Sequence, residues 1–242
     1  MDSDPGRLLD RIGQATGRLD AEAAGLTDGQ AREPSLLPGW SRGHVLTHLA
    51  RNADGLRNLL TWARTGVRTP QYPSVAARNA GIEAGAGRPA AELAEDVARS
   101  AAAFAAEAAG LPASAWDVAV HGLTGPEHPA WFTLFRRLTE VEMHHADLGL
   151  SYVPADWPAQ FVADELELVT GQFARRDDVP ACQVEVTGLP GEPRQRFVLG
   201  QAGPVTVSGP GWRVLAWLTG RDDGAALSAG SGGRAPVMPA WS

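Results

Sequence analysis

Residues 36–66 read LLPGWSRGHVLTHLARNADGLRNLLTWARTG. Ser41 is a good N-cap, because its hydroxyl can accept from the free amides of a first helical turn. Behind it Val45, Leu49, Leu56 and Leu59 recur on one side of a helix. Gly66, Pro70 and Pro73, in TGVRTPQYPS, stop that helix. The same amphipathic pattern repeats on either side. Leu8, Ile12, Ala15 and Leu19 predict a first helix over residues 5–26, and an Ala-rich segment predicts a third over 89–109, closed by Gly110 and Pro112. Trp131, Leu134, Leu138 and Val141 mark a fourth over 129–149. Four apolar stripes of this length bury one another best as a bundle.

Past residue 150 the period changes. LSYVPADW, residues 150–157, reads as a linker and residues 158–175 as a further helix. QVEVTG alternates with period two, RQRFVLG and PVTVSG are strand-like, and Gly and Pro separate the three. Pro210 opens a short helix over 211–220, and GSGGRAPVMPAW, residues 230–241, reads as an extended tail. The expected architecture is α+β: a helical domain over 1–155 and a small mixed domain over 156–242.

With 242 residues, 44% of them hydrophobic, the chain can bury a substantial core. The formal net charge is −7 and every basic residue is an arginine. An acidic chain without a basic cluster argues against nucleic acid as a partner. No apolar run reaches the roughly 20 residues that span a bilayer, and the N-terminus lacks the apolar core of a signal peptide, so a cytoplasmic protein is expected. Cys182 is the single cysteine. It begins an alternating strand with no His nearby, which reads as a small buried residue rather than a nucleophile. A metal ion would have to be held by His and carboxylate.

Two of the helices hold most of the histidines. His44 and His48 are four apart, and TEVEMHHADLG offers two carboxylate–imidazole pairs, Glu140 with His144 and Glu142 with His145. Glu142 and His145 fall nearer the middle of the apolar stripe, so spacing mildly favours them, and it equally allows simple helix-stabilising pairs. Two His and one carboxylate would leave coordination positions open for a substrate, as in catalytic zinc sites.

The 36–66 segment resembles the opening metal-binding segment of the mycothiol-dependent maleylpyruvate isomerase family, which has a DinB-like fold. TPQYPSVAARNAGIEAGAGRP, TEVEMHHADLG and VSGPGWRVLAWLTGR are similar to later stretches of that family, in the same order. The resemblance implies a DinB-like four-helix bundle followed by a small C-terminal α/β domain. It implies Zn2+ held by His48, Glu140 and His144, with mycothiol as thiol cosubstrate. It selects that pair over Glu142 and His145, and leaves His145, Asp147 and Asn52 as supporting residues. It gives Arg221 the binding of a substrate carboxylate, with Arg213 close by. Arg78, in SVAARNAGIE, is a further candidate whose plainer reading is a solvated surface arginine. The implied reaction converts maleylpyruvate to fumarylpyruvate in gentisate breakdown. A mycothiol-dependent S-transferase acting on another electrophile is the alternative, and a non-catalytic metal-binding protein is a third reading.

Overall fold

The computed structural model describes residues 1–191, 194–200, 203, 205–230 and 233–241. The chain forms two compact units, residues 2–151 and residues 152–242 together with Met1.

In the first unit α1 (Pro5–Ala23) starts at Asp4, whose side chain caps the Arg7 amide. A short α2 (Asp28–Arg32) follows, opened by a capping box of Thr27 and Gln30. Ser41 caps α3 (Arg42–Thr65) by accepting from the His44 amide, while the His44 ring turns back to the Ser41 backbone. The predicted break after Gly66 holds only to Ser74. There α4 (Val75–Ala86) begins, a helix the hydrophobic pattern does not announce. α5 (Ala90–Ala109) comes next. A two-residue pairing of β1 (Ala119–Val120) with β2 (His128–Pro129) leads into α6 (Ala130–Asp147).

The bundle is α1, α3, α5 and α6. α3 packs on α5 and α6, α1 closes the ring against the same two helices, and α4 lies on α3. Leu46, Leu49, Leu56, Leu59 and Leu60 of α3 are fully buried, each worth about 1.5–3 kcal/mol of transfer free energy. One polar knot sits among them. Asp96 of α5 is 2% exposed and accepts from Arg51 and Arg99 at 2.8 Å and from Arg88 at 2.7 Å. Burial alone would raise its pKa, but the guanidiniums outweigh burial and hold it below the ordinary value of 3.8.

That depression fixes a pH dependence. The ion cluster stabilises the fold above the unfolded pKa and stops doing so as pH falls through the lower, folded one. Asp96→Asn is therefore expected to cost about 2 kcal/mol near neutral pH, with the difference in urea midpoint closing below about pH 4. A difference that persists in acid would contradict this account.

In the second unit α7 (Ala159–Phe173) precedes a four-stranded sheet of β3 (Cys182–Thr187), β4 (Arg194–Leu199), β5 (Thr206–Pro210) and, after α8 (Gly211–Leu218), β6 (Ser228–Ala229). The order is β4-β3-β5-β6. β3 runs antiparallel to β4, with Val184 opposite Phe197, and parallel to β5, with Val184 opposite Val207. Along β3 the alternate residues Cys182, Val184 and Val186 are buried, in keeping with a packing role for the cysteine. Pro204, expected to open the third strand, lies outside the described residues, as do Ser231 and Gly232 of the expected tail. No helix among the described residues is long and apolar enough to cross a membrane.

Candidate metal centre

α3 and α6 bring three side chains together. His48 Nε2 lies 2.9 Å from Glu140 Oε2, and His144 Nε2 lies 3.3 Å from the same oxygen. The two imidazoles meet edge to face with centroids 4.7 Å apart. One donor atom from each residue falls within 4.8 Å of the others, and among the described residues this is the group of three His, Cys or acidic side chains that converges so. His48 is nearly closed off, at 4% side-chain exposure, whereas Glu140 and His144 keep 22% and 18%. The cluster is thus open on one side, as a centre with a free coordination position must be.

Electrostatics favours a carboxylate at Glu140, to which the neighbouring imidazoles can donate their N–H groups. Burial would protonate Glu140, but the imidazoles win and hold its carboxyl well below the usual carboxylate range. Burial pushes His48 below its ordinary pKa, against the pull of Glu140. Burial acts on His144 too, but the hydrogen bond to Asp147 and the nearby Glu140 raise its pKa. Asp147 Oδ2 is 2.8 Å from His144 Nδ1. A carboxylate there accepts a hydrogen bond from Nδ1–H, and a neutral ring so held keeps its Nε2 lone pair for an ion in the cluster. The donor set therefore suits a divalent ion of zinc type. Asp147→Asn is expected to weaken zinc binding about tenfold, measured by competition with a chromogenic chelator, and unchanged affinity would remove the orienting role.

Neighbouring side chains fix the frame. Trp40 stands edge-on to His48 at 5.5 Å and stacks on His44 at 6.2 Å. Arg137, one turn before Glu140, is fully buried and ties α6 to α3 by donating to Leu49 O at 2.8 Å and Asn52 Oδ1 at 2.9 Å. Asn52 thus serves Arg137 and not an imidazole. Burial lowers the Arg137 pKa to about 10, which still leaves it charged. Glu142 and His145, favoured by spacing, are buried on the other side of α6. Arg18 of α1 donates to Glu142 at 2.6 Å, and His145 Nε2 lies 2.9 Å from Glu22 Oε2. The stripe that made them attractive is real, but it faces α1.

Arg78 is not the solvated surface residue of the plainer reading. It is half-buried on α4, with Nη2 3.2 Å from His48 Nδ1. Beside it Tyr72, which sequence reasoning missed, has a buried hydroxyl whose proton meets no acceptor among the described residues. Burial first, and then the charge of Glu140, push that hydroxyl up to about 12, against the pull of Arg78 and Arg137. Gly55 makes room for this segment, since a Cβ there would stand 2.8 Å from Gln71 O and 3.2 Å from Tyr72 Cζ. Nothing in the spacing of QYPS signals such a contact.

Arg221 belongs to the second unit, in the turn after α8. Its amide donates to Ala216 O at 2.7 Å and its Nη1 to Thr219 O at 3.1 Å. Arg213 lies over the Trp212 ring at 4.6 Å, with Nε 3.8 Å from Asp222 Oδ2.

A family model described as "Mycothiol maleylpyruvate isomerase N-terminal domain" matches residues 12–149, a span that holds His48, Glu140 and His144. Comparison with curated proteins finds no match. Among solved structures, the crystal structure of a mycothiol-dependent maleylpyruvate isomerase matches with a TM-score of 0.84 and 28% identity, over 98% of this chain and 97% of that one. The crystal structure of a histidine-to-alanine mutant of such an isomerase matches with the same TM-score and coverage at 27% identity. With more than half of its residues matching the family's own domain, and the fold following a solved member along nearly its whole length, the chain belongs to the mycothiol-dependent maleylpyruvate isomerase family.

Proposed function

We propose that the protein isomerises maleylpyruvate to fumarylpyruvate with mycothiol as cosubstrate, and that His48, Glu140 and His144 hold a zinc ion for this purpose. The observation that carries the reading is the convergence of those three side chains, open on one side, within the matched span. When bound there, zinc supplies the chemistry of a Lewis acid that keeps a thiol deprotonated at neutral pH.

The chemical problem is rotation about a carbon–carbon double bond. A thiolate sulfur that bonds to one alkene carbon sends the π pair onto the conjugated carbonyl oxygen. The remaining single bond can rotate. Return of the pair re-forms the double bond in the trans geometry and expels the thiolate, so the thiol ends unchanged. The protein's residues position and polarise. Glu140 brings a negative charge to the ligand set and so moderates its electrophilicity. Asp147 fixes the His144 ring. Trp40 walls off His48 from water. Arg221 is proposed to pair with a substrate carboxylate, for which a planar guanidinium fork is suited; this role rests on the family resemblance.

The test is conversion of maleylpyruvate by the zinc-loaded protein with and without mycothiol. Fumarylpyruvate formed only with the thiol is the expected result. The absence of any thiol-dependent conversion would overturn the reading, and conjugate formation with other electrophiles would move the protein to the S-transferases.

A further inference from the structure

Many arginines around the bundle face acids. Arg51, Arg88 and Arg99 share Asp96, Arg42 meets Glu33, and Arg64 meets Glu107. Arg78 does not. Among the described residues it makes no ion pair; its Nη1 donates to Asn79 Oδ1 at 3.1 Å and its Nη2 reaches His48 Nδ1 at 3.2 Å. A half-buried guanidinium that touches a proposed metal ligand and has no carboxylate of its own is poorly compensated.

The contact with His48 also depends on the state of the ring. Guanidinium nitrogens only donate, so Nδ1 must offer its lone pair to Arg78. A metal ion on Nε2 of a neutral imidazole leaves the ring proton on Nδ1. Two donors then face each other and the hydrogen bond is lost. Loading the centre would thus free the Arg78 fork beside His48. The Tyr72 hydroxyl lies close enough to Arg78 to accept from it, and its own proton meets no acceptor among the described residues.

We infer that Arg78 anchors a carboxylate of the substrate at this centre once metal binding has released it from His48, and that the Tyr72 hydroxyl donates to the same carboxylate. The inference rests on the metal-dependent reading above and adds to it a residue that selects the carboxylated substrate. A guanidinium and a hydroxyl meeting one carboxylate form a planar, charge-assisted contact that an uncharged electrophile cannot make.

The experiment uses maleate, a cis-dicarboxylate, titrated calorimetrically into the zinc-loaded full chain without mycothiol. The wild type is expected to bind it. Arg78→Met should bind about tenfold more weakly or worse, the loss typical of a hydrogen bond to a charged group. Arg78→Lys should recover part of the loss and Tyr72→Phe should show a smaller one. Zinc content measured on the same samples should be equal in all four proteins. Maleate binding by Arg78→Met equal to wild type, at full zinc, would overturn the inference, as would absence of binding to the wild type. Turnover separates this from the parent reading. A wild type that converts maleylpyruvate while Arg78→Met keeps its KM sinks the anchor alone. A wild type that binds maleate through Arg78 yet never converts maleylpyruvate sinks the isomerase reading and leaves the anchor standing.

Discussion

Replacing His48 with alanine is expected to strip zinc from the protein and lower thiol-dependent kcat/KM by about a thousandfold. The magnitude follows from the Lewis acid being worth several kcal/mol, with about 1.4 kcal/mol per factor of ten. His48 supplies one of three donor atoms, and a centre with two protein ligands binds far less well. The fold should survive, because the α3 core is built by Leu46, Leu49, Leu56, Leu59 and Leu60 on its other positions. Glu140→Gln is the companion variant. It keeps the shape of the side chain and removes the charge that faces both imidazoles at 2.9 Å and 3.3 Å. Zinc content by atomic absorption, together with the thermal melting curve, reads both effects. Full zinc occupancy in both variants would remove the ligand assignment.

The largest effect on stability is expected from a single methyl group. Gly43, in the first turn of α3, faces the end of α4, and a Cβ there would stand 2.2 Å from Ala86 O and 3.4 Å from Ala31 O. Both atoms are backbone, so neither can swing aside. Gly→Ala inside a helix ordinarily stabilises by up to about 1 kcal/mol. Here the sign reverses: α4 must shift, and overpacking of this kind costs about 1–3 kcal/mol or more. In a chain of this length that lowers Tm by roughly 2–4 °C per kcal/mol. Gly13→Ala is the control. Gly13 lies within α1, with nothing within 4 Å of the new Cβ, and should stabilise by about 0.5–1 kcal/mol. Equal melting shifts in the two variants would contradict the packing described. Because α4 carries Arg78, Gly43→Ala should also disturb the contact of Arg78 with His48.

These two positions show what could be read in one dimension. Ser41, the leucines of α3 and the stripe of α6 are local signals, so the bundle helices were legible to within a few residues at their ends. α4 was not. VAARNAGIEAGA has two glycines and two large apolar residues, of which Val75 is exposed and only Ile82 is buried; its end lies against Gly43 of α3, a fact that belongs to the pair and not to either segment. Arg78 could be read as a solvated residue only while α4 was missing. The choice between Glu140 with His144 and Glu142 with His145 had the same origin. α6 buries two sides, one against α1 and one against α3, and a single stripe cannot say which partner lies on which. His48, Arg78 and Glu140 come together from three separate stretches, so their contacts appear only once the bundle is assembled.

The central claim is that His48, Glu140 and His144 hold an ion that takes the sulfur of mycothiol. Cobalt(II) in place of zinc makes this visible, since a thiolate bonded to cobalt gives a charge-transfer absorption in the near ultraviolet that oxygen and nitrogen ligands do not. The wild-type protein loaded with cobalt should show that band on addition of mycothiol, and His48→Ala and Glu140→Gln should not. Full cobalt occupancy with no such band at saturating mycothiol, or an undiminished band in both variants, would contradict the account.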